Sequence, residues 1–240
     1  MNRNPMGHVM RTVLRTVPWL PLAMLMVACA TGQPATAQVP PAAQVPPAGQ
    51  SGTVGDTLDP NFVPAGFGSL KQDDIALRVS PSSGLQVRAI PLDERLIRLL
   101  SVDSYRAMRD LVASKQQAIL AVKERNRLPS YSLWYVSFFA LEQGETRFSP
   151  QEFLISNTGR DFRPLDVLPL SPGFGEYRLK QREVQSALFV FDGQIDVNQP
   201  TTAMMEGTPS VTDWSRVLLS IERERTLVRS RAAATAKKPQ

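Results

Sequence analysis

Apolar and polar residues alternate with period two at Ile75, Leu77 and Val79 and again at Leu85, Val87 and Ala89. Pro81-Ser82-Ser83-Gly84 separates the two runs, so the pattern predicts a hairpin. The period then lengthens. Leu96, Leu99 and Leu100 share one face of a helical stretch over 93–100. From Asp103 to Arg127, Met108, Leu111, Val112, Lys115, Ile119 and Val122 recur at threes and fours. Asp103 or Ser104 is the expected cap of that helix and Pro129 its stop.

The period returns to two beyond Pro129. Tyr131 to Leu141 is apolar on both alternating faces and rich in aromatics, as a buried central strand requires. Glu142-Gln143-Gly144-Glu145 follows as a turn. Phe153 and Ile155 share a face of a shorter strand ended by Asn157-Thr158-Gly159. Pro164 and Pro169 make 162–170 an edge strand or an extended crossing. Ser171-Pro172-Gly173 turns the chain, and Tyr177 and Leu179 mark another short strand. Ser186 to Phe191 is a second run apolar on both faces, and 201–205 a last short strand. A helical stripe then runs through Trp214, Val217, Leu218, Ile221 and Val228, with Thr212 as the expected cap.

These elements predict an α+β fold: an antiparallel β-sandwich with an inserted amphipathic helical segment and a C-terminal helix. The order Phe148-Ser149-Pro150 to Ile155, Phe162-Arg163-Pro164, Leu179 and then Ala187 to Asp192 is similar to telokin-like, immunoglobulin-fold domains of bacterial surface lipoproteins. The resemblance implies an immunoglobulin-like topology and a domain that binds or scaffolds.

The N-terminal 72 residues have a different composition. Residues 1–15 hold Arg3, Arg11 and Arg15 and no acid, and Thr16 to Ala28 is uncharged and mostly apolar. A basic region ahead of a short apolar run is the secretory pattern, and the run is short of the roughly 20 residues of a membrane span. Its end, Leu25-Met26-Val27-Ala28-Cys29, resembles the bacterial lipobox, with Met26 where that family prefers Leu. The resemblance implies cleavage before Cys29, diacylglycerol on its thiol and an acylated new N-terminus. Each buried CH₂ of such chains contributes about 0.8 kcal/mol of anchoring. Ala30 rather than Asp follows the cysteine, which by the sorting pattern implies the outer membrane or periplasmic face over the inner membrane.

Residues 31–57 contain a tandem hexapeptide, Ala37 to Ala42 and Ala43 to Ala48, each Ala-Gln-Val-Pro-Pro-Ala. Such a stretch favours extended polyproline II at about 3.1 Å per residue and forms no core. The expected organisation is therefore a signal peptide over 1–28, a lipidated Cys29 with a Pro-rich spacer over 29–72, one globular domain over 73–231 and a disordered basic tail over 232–240.

Charge and chemistry narrow the function. The net charge is +5, but three of the cations lie in residues 1–28, so the mature chain is nearly neutral and nucleic acid is not an expected partner. The one histidine, His8, lies in the leader, and Cys29 is the one cysteine. A mature chain with this inventory has no His/Cys zinc site, Ser-His-Asp triad, Cys-His dyad or disulfide. No glycine-rich phosphate loop is present, and no cofactor is expected.

Carboxylate chemistry stays open. The acidic clusters are Asp73-Asp74, Glu142/Glu145, Asp192/Asp196 and Glu222/Glu224, all at turns or helix surfaces. Asp192-Gly193-Gln194-Ile195-Asp196 falls short of a calcium loop in ligand spacing. Trp134, Tyr135, Phe138 and Phe139 fit core positions better than a ligand box. From Thr212 onward seven basic residues face three acidic ones. They suit either a solvated helix end that complements its own dipole or contact with anionic headgroups. The expectation is a membrane-tethered, non-catalytic binding or scaffolding module with an envelope protein or polymer as partner. A glycan-active enzyme built on carboxylates is the alternative.

Overall fold

The computed structural model describes residues 66–81 and 84–236. Cys29, the leader, Phe62 and Val63, Ser82-Ser83 of the first turn and the last four residues lie outside them. In chain order the strands begin with β1 (Leu77–Val79), β2 (Leu85–Pro91), β3 (Tyr131–Ala140) and β4 (Glu145–Arg147). They continue with β5 (Leu154–Asn157), β6 (Arg160–Phe162), β7 (Asp166–Pro169) and β8 (Arg178–Lys180). The last are β9 (Val184–Asp192), β10 (Thr201–Met205) and β11 (Thr208–Pro209). The helices are α1 (Glu94–Ile97), α2 (Val102–Ser114), α3 (Gln116–Arg125) and α4 (Trp214–Ala236).

The fold is α+β with antiparallel sheets. A five-stranded sheet has the order β1-β2-β3-β9-β7, a four-stranded sheet β11-β10-β5-β6, and β4 and β8 form a separate ribbon. The two runs read as apolar on both faces, β3 and β9, pair at the centre of the large sheet, with Trp134 opposite Phe189 and Val136 opposite Ala187. One face of this sheet, with Val87, Ala89, Trp134, Phe138, Ala187 and Phe189, belongs to the same core as Ile155, Ala203 and Met205 of the smaller sheet. Phe153 links them, its ring edge-on to Phe189 at 5.3 Å. The opposite face keeps Leu133, Leu188 and Val190 buried. Arg125 at the end of α3 pairs with Asp166 of β7 at 2.6 Å on that side.

The expected hairpin is present, with Leu77 opposite Ala89 and Val79 opposite Val87. Ile75 lies just before it, in a 3-10 turn over Gln72–Ile75. The helix expected over 103–127 is two helices that meet at Lys115 (φ −116°, ψ 10°). The hydroxyl of Ser114 donates to the Leu111 carbonyl at 2.7 Å, the acceptor that Lys115 N–H would use in a continuous helix. Lys115 N–H goes to the Val112 carbonyl instead, the competition expected of a serine inside a helix. Ser101, rather than Asp103 or Ser104, holds the N-cap position.

Thr212 does not cap α4. Its hydroxyl accepts from Arg78 N–H at 3.0 Å and donates to the Ala76 carbonyl, and Asp213 accepts from Ser215 N–H in its place. Tyr177 precedes β8 in a left-handed conformation (φ 53°) rather than lying in the strand. The stretch 162–170 is both things expected of it. It ends β6 in the small sheet, crosses at Pro164 and enters the large sheet as the edge strand β7. Finally, α4 continues to Ala236, past the Ala232 at which the periodic pattern stops.

Residues 66–72, expected in the spacer, pack on the domain as a strap. Gly68 N–H donates to the Arg98 carbonyl, Leu70 N–H to Leu99, and Ser101 N–H to Leu70. Phe67 lies 4.9 Å from the Tyr105 ring, and the Arg98 guanidinium is within 5.3 Å of both ring centres, a cation–π arrangement.

Candidate functional site

Both edges of the five-stranded sheet are closed. At β1, Thr212 Oγ1 accepts from Arg78 N–H, and Val211 N–H donates to the Arg78 carbonyl. At β7, Asp166 Oδ1 takes Val167 N–H at 2.8 Å, and Pro169 has no N–H. An edge with its donors capped or missing is a poor template for an added strand. These edges therefore do not invite the strand addition that an exposed sandwich edge would allow.

A cleft opens instead beside the β4–β8 ribbon. It measures about 570 Å³ and is lined by Glu145, Gly173, Glu176, Arg178, Leu179, Lys180, Glu183 and Gln185, a volume within the range of ligand sites. Period two in β8 builds one wall: Leu179 is fully buried while Arg178 and Lys180 on either side are exposed. Pairing sets Glu145 opposite Lys180 and Arg147 opposite Arg178. The loop before β8 is anchored by Phe174, which packs 5.5 Å from Phe148 and 6.0 Å from Phe138. Tyr177, 46 % exposed, stands edge-on to Phe148 and Phe174.

The turn from β8 into β9 forms the other wall. Glu183 closes it by accepting Lys180 N–H at 2.8 Å, and its own N–H returns to the Lys180 carbonyl. Arg182 takes a left-handed backbone (φ 61°) and donates its N–H to the Ala140 carbonyl. The Glu183 carboxyl titrates below the ordinary glutamate range. The Lys180 N–H is the main cause, followed by the Gln185 amide and the Lys180 charge. Gln185, at the foot of β9, donates Nε2 to the Arg178 carbonyl and to Glu183 Oε1. Arg178 pairs with Glu145 at 3.1 Å.

Of the acidic residues singled out from sequence, only Glu145 lines this cleft. Asp73 pairs with Arg88 at 2.8 Å and Arg78 at 3.4 Å. Asp74 accepts from Lys71 N–H, and Glu142 packs beside Gly84. Asp192 closes a turn through Gln194 N–H, and Asp196 another through Asn198 N–H. Glu222 binds the buried Arg225, and Glu224 binds Ser69. Among the described residues no group of three or more His, Cys, Asp or Glu side chains is arranged to hold a metal ion.

Trp134 and Phe138 are core residues on one face of β3, while Tyr135 and Phe139 lie half-buried on the other, so the four form no shared box. Glu176 and Glu183 were missed because they lie in the connections before β8 and β9, and Gln185 because it lies near the start of the strand β9. The one legible signal was Gln185, a polar residue on the inward parity of Ala187, Phe189 and Phe191. No helix among the described residues is long and apolar enough to cross a membrane. Comparison with protein families, with curated proteins and with solved structures finds no match to this chain.

Proposed function

We propose that this chain is a lipid-anchored, non-catalytic module of the bacterial cell envelope that binds an envelope polymer or protein. The observation that carries this reading is Cys29, the single cysteine, at the end of Leu25-Met26-Val27-Ala28 and ahead of a Pro-rich spacer. The spacer would hold the domain away from the membrane, with the sheets read as an immunoglobulin-like sandwich and the cleft beside β8 as the contact site. The decisive measurement is the mass of the N-terminal peptide of the membrane-fraction protein. A diacylglyceryl, N-acylated Cys29 is expected, and Cys29→Ser should move the chain to the soluble fraction. A bare Cys29 thiol would overturn the anchor. Cosedimentation with isolated murein sacculi tests the polymer as ligand.

The second reading is a carboxylate-dependent, glycan-active enzyme. It is favoured by three glutamates, Glu145, Glu176 and Glu183, lining one cleft. Two features weigh against it. Glu145 is held by Arg178, and Glu183 is kept ionised by its donors, whereas a general acid needs a raised pKa. Release of soluble fragments from sacculi that disappears in Glu176→Gln would establish the enzyme; none is expected.

A further inference from the structure

The face of α4 turned away from the core has no part in the cleft beside β8. At 3.6 residues per turn, Arg216, Leu219, Arg223, Thr226, Leu227 and Ser230 fall within about 100° of one another, opposite the buried Ile221 and Val228. All six are exposed and none is acidic. Leu219 is 72 % exposed and Leu227 42 %, so two large apolar side chains stand in solvent among arginines.

The acids of this region are already engaged. Asp213 pairs with Arg216 at 3.3 Å, Glu222 binds Arg225, and Glu224 accepts from Ser69. The exposed guanidinium groups of Arg223 and Arg229 hold no hydrogen bond or ion pair among the described residues. Nor do these cations serve the helix dipole. That effect falls off within the last turn, and the last turn of α4 contains no basic residue. Leucines flanked by unmatched arginines on one helix face suit the boundary between lipid headgroups and acyl chains.

The point at which the chain enters the domain selects the partner. Gly66 lies against α4, where a Cβ would come 3.3 Å from Val228 Cγ1. Ser69 bonds to Glu224, one turn earlier in the helix. The chain that leads back to Cys29 therefore joins the domain beside the C-terminal half of α4. A bilayer holding Cys29 has this helix within reach, and an intramolecular contact needs only weak attraction.

We infer that the outward face of α4 docks on an anionic phospholipid surface, with Leu219 and Leu227 at the acyl boundary and Arg216, Arg223 and Arg229 on the phosphates. The inference rests on the lipid-anchor reading and extends it. The tethered domain gains a second, reversible contact that sets its orientation and that salt releases.

The test adds the purified full-length chain in detergent to saturated phosphatidylcholine vesicles, with or without phosphatidylglycerol, and then removes the detergent. Flotation reports association, and hydroxyl-radical footprinting with mass spectrometry reports the exposure of each leucine. Leu219 and Leu227 are expected to lose reactivity on the anionic vesicles alone. Leu141 and Leu165, 52 % and 41 % exposed outside α4, should keep theirs. Salt at about 1 M, where the screening length is about 3 Å, should restore the two α4 leucines. Arg216→Gln combined with Arg223→Gln should weaken docking about twenty-fivefold, at about fivefold for each cation. Both positions are exposed, so the pair leaves the core intact.

A chain that floats with both vesicles but shows no shielding of Leu219 and Leu227, or equal shielding on both, keeps the anchor and overturns the docking. Shielding that persists in the double variant overturns it as well. Flotation with anionic vesicles alone, with Leu219 and Leu227 shielded, keeps the α4 contact and sinks the anchor. Flotation with neither sinks both.

Discussion

The carboxylate of Glu224 in α4 accepts two hydrogen bonds from Ser69, one from its backbone N–H at 2.8 Å and one from its hydroxyl at 3.0 Å. Glu224 is 5 % exposed, and this contact joins the last helix to the strap at the domain's entrance. Removing the carboxylate leaves the Ser69 donors unmatched beside the helix. Glu224→Ala is expected to cost about 1.5–3 kcal/mol, the range for a hydrogen bond to a charged group, and Ser69→Ala, which keeps the backbone bond, about 1 kcal/mol. Urea unfolding gives both numbers. Limited proteolysis should cut between residues 66 and 72 faster in Glu224→Ala than in the parent, and an unchanged rate there would contradict the strap's dependence on α4.

Gly68 in the same strap has no room for a side chain. A Cβ there would lie 1.9 Å from the Leu99 carbonyl oxygen, and the hydrogen bonds on either side prevent the strap from moving away. Gly159, in the turn between β5 and β6, differs: its φ of 77° is left-handed, but a Cβ would meet nothing within 4 Å. Gly159→Ala should therefore cost about 1 kcal/mol of backbone strain, and Gly68→Ala about 2–4 kcal/mol. Thermal or urea unfolding that ranks them the other way would show that the strap is loosely held.

Asn157, 1 % exposed at the end of β5, organises the loop ahead of β10. Its Nδ2 donates to the carbonyls of Asp196 and Pro200 and to Thr201 Oγ1, and its Oδ1 accepts from Asp196 N–H. Asn157→Ala is expected to cost about 3 kcal/mol by leaving buried groups unpaired. Asn157→Asp should cost at least as much at neutral pH, because it sets an anion against carbonyl oxygens. Full stability in Asn157→Asp would show that the loop does not depend on these donors.

Glu183 makes stability depend on pH. Its folded pKa is depressed, chiefly by the Lys180 N–H and then by the Gln185 amide. The contribution is complete above the unfolded value of about 4.3 and is lost as pH falls through the lower folded value. Glu183→Gln should thus lose stability relative to the parent at pH 7 and approach it at pH 2–3. Unfolding midpoints in urea at these two pH values supply the comparison, and a constant difference across them would exclude the linkage.

Legibility from sequence followed the range of the interactions. Tyr131 to Leu141 and Ser186 to Phe191 were readable as buried strands because burial on both faces leaves no polar parity. Asn157-Thr158-Gly159 was readable as a turn because glycine adopts the left-handed backbone found at Gly159 without strain, whereas Thr158 takes its φ of 51° against the preference of a β-branched residue. The break at Lys115 was hidden, since it depends on whether the Ser114 hydroxyl turns back to a carbonyl that the helix also needs. Thr212 misled for a related reason: its local role as a cap was displaced by hydrogen bonds to Arg78 and Ala76, distant in the chain.

The order of residues alone settled where strands and helices alternate and which side chains enter the core, because periodicity and turn chemistry act over a few neighbouring positions. The tertiary structure alone decided which strands pair and which edges are capped. It also decided that Glu145, Glu176 and Gln185 come together. The physical reason is that these outcomes depend on long-range hydrogen bonds and on charges far apart along the chain, to which no local pattern corresponds.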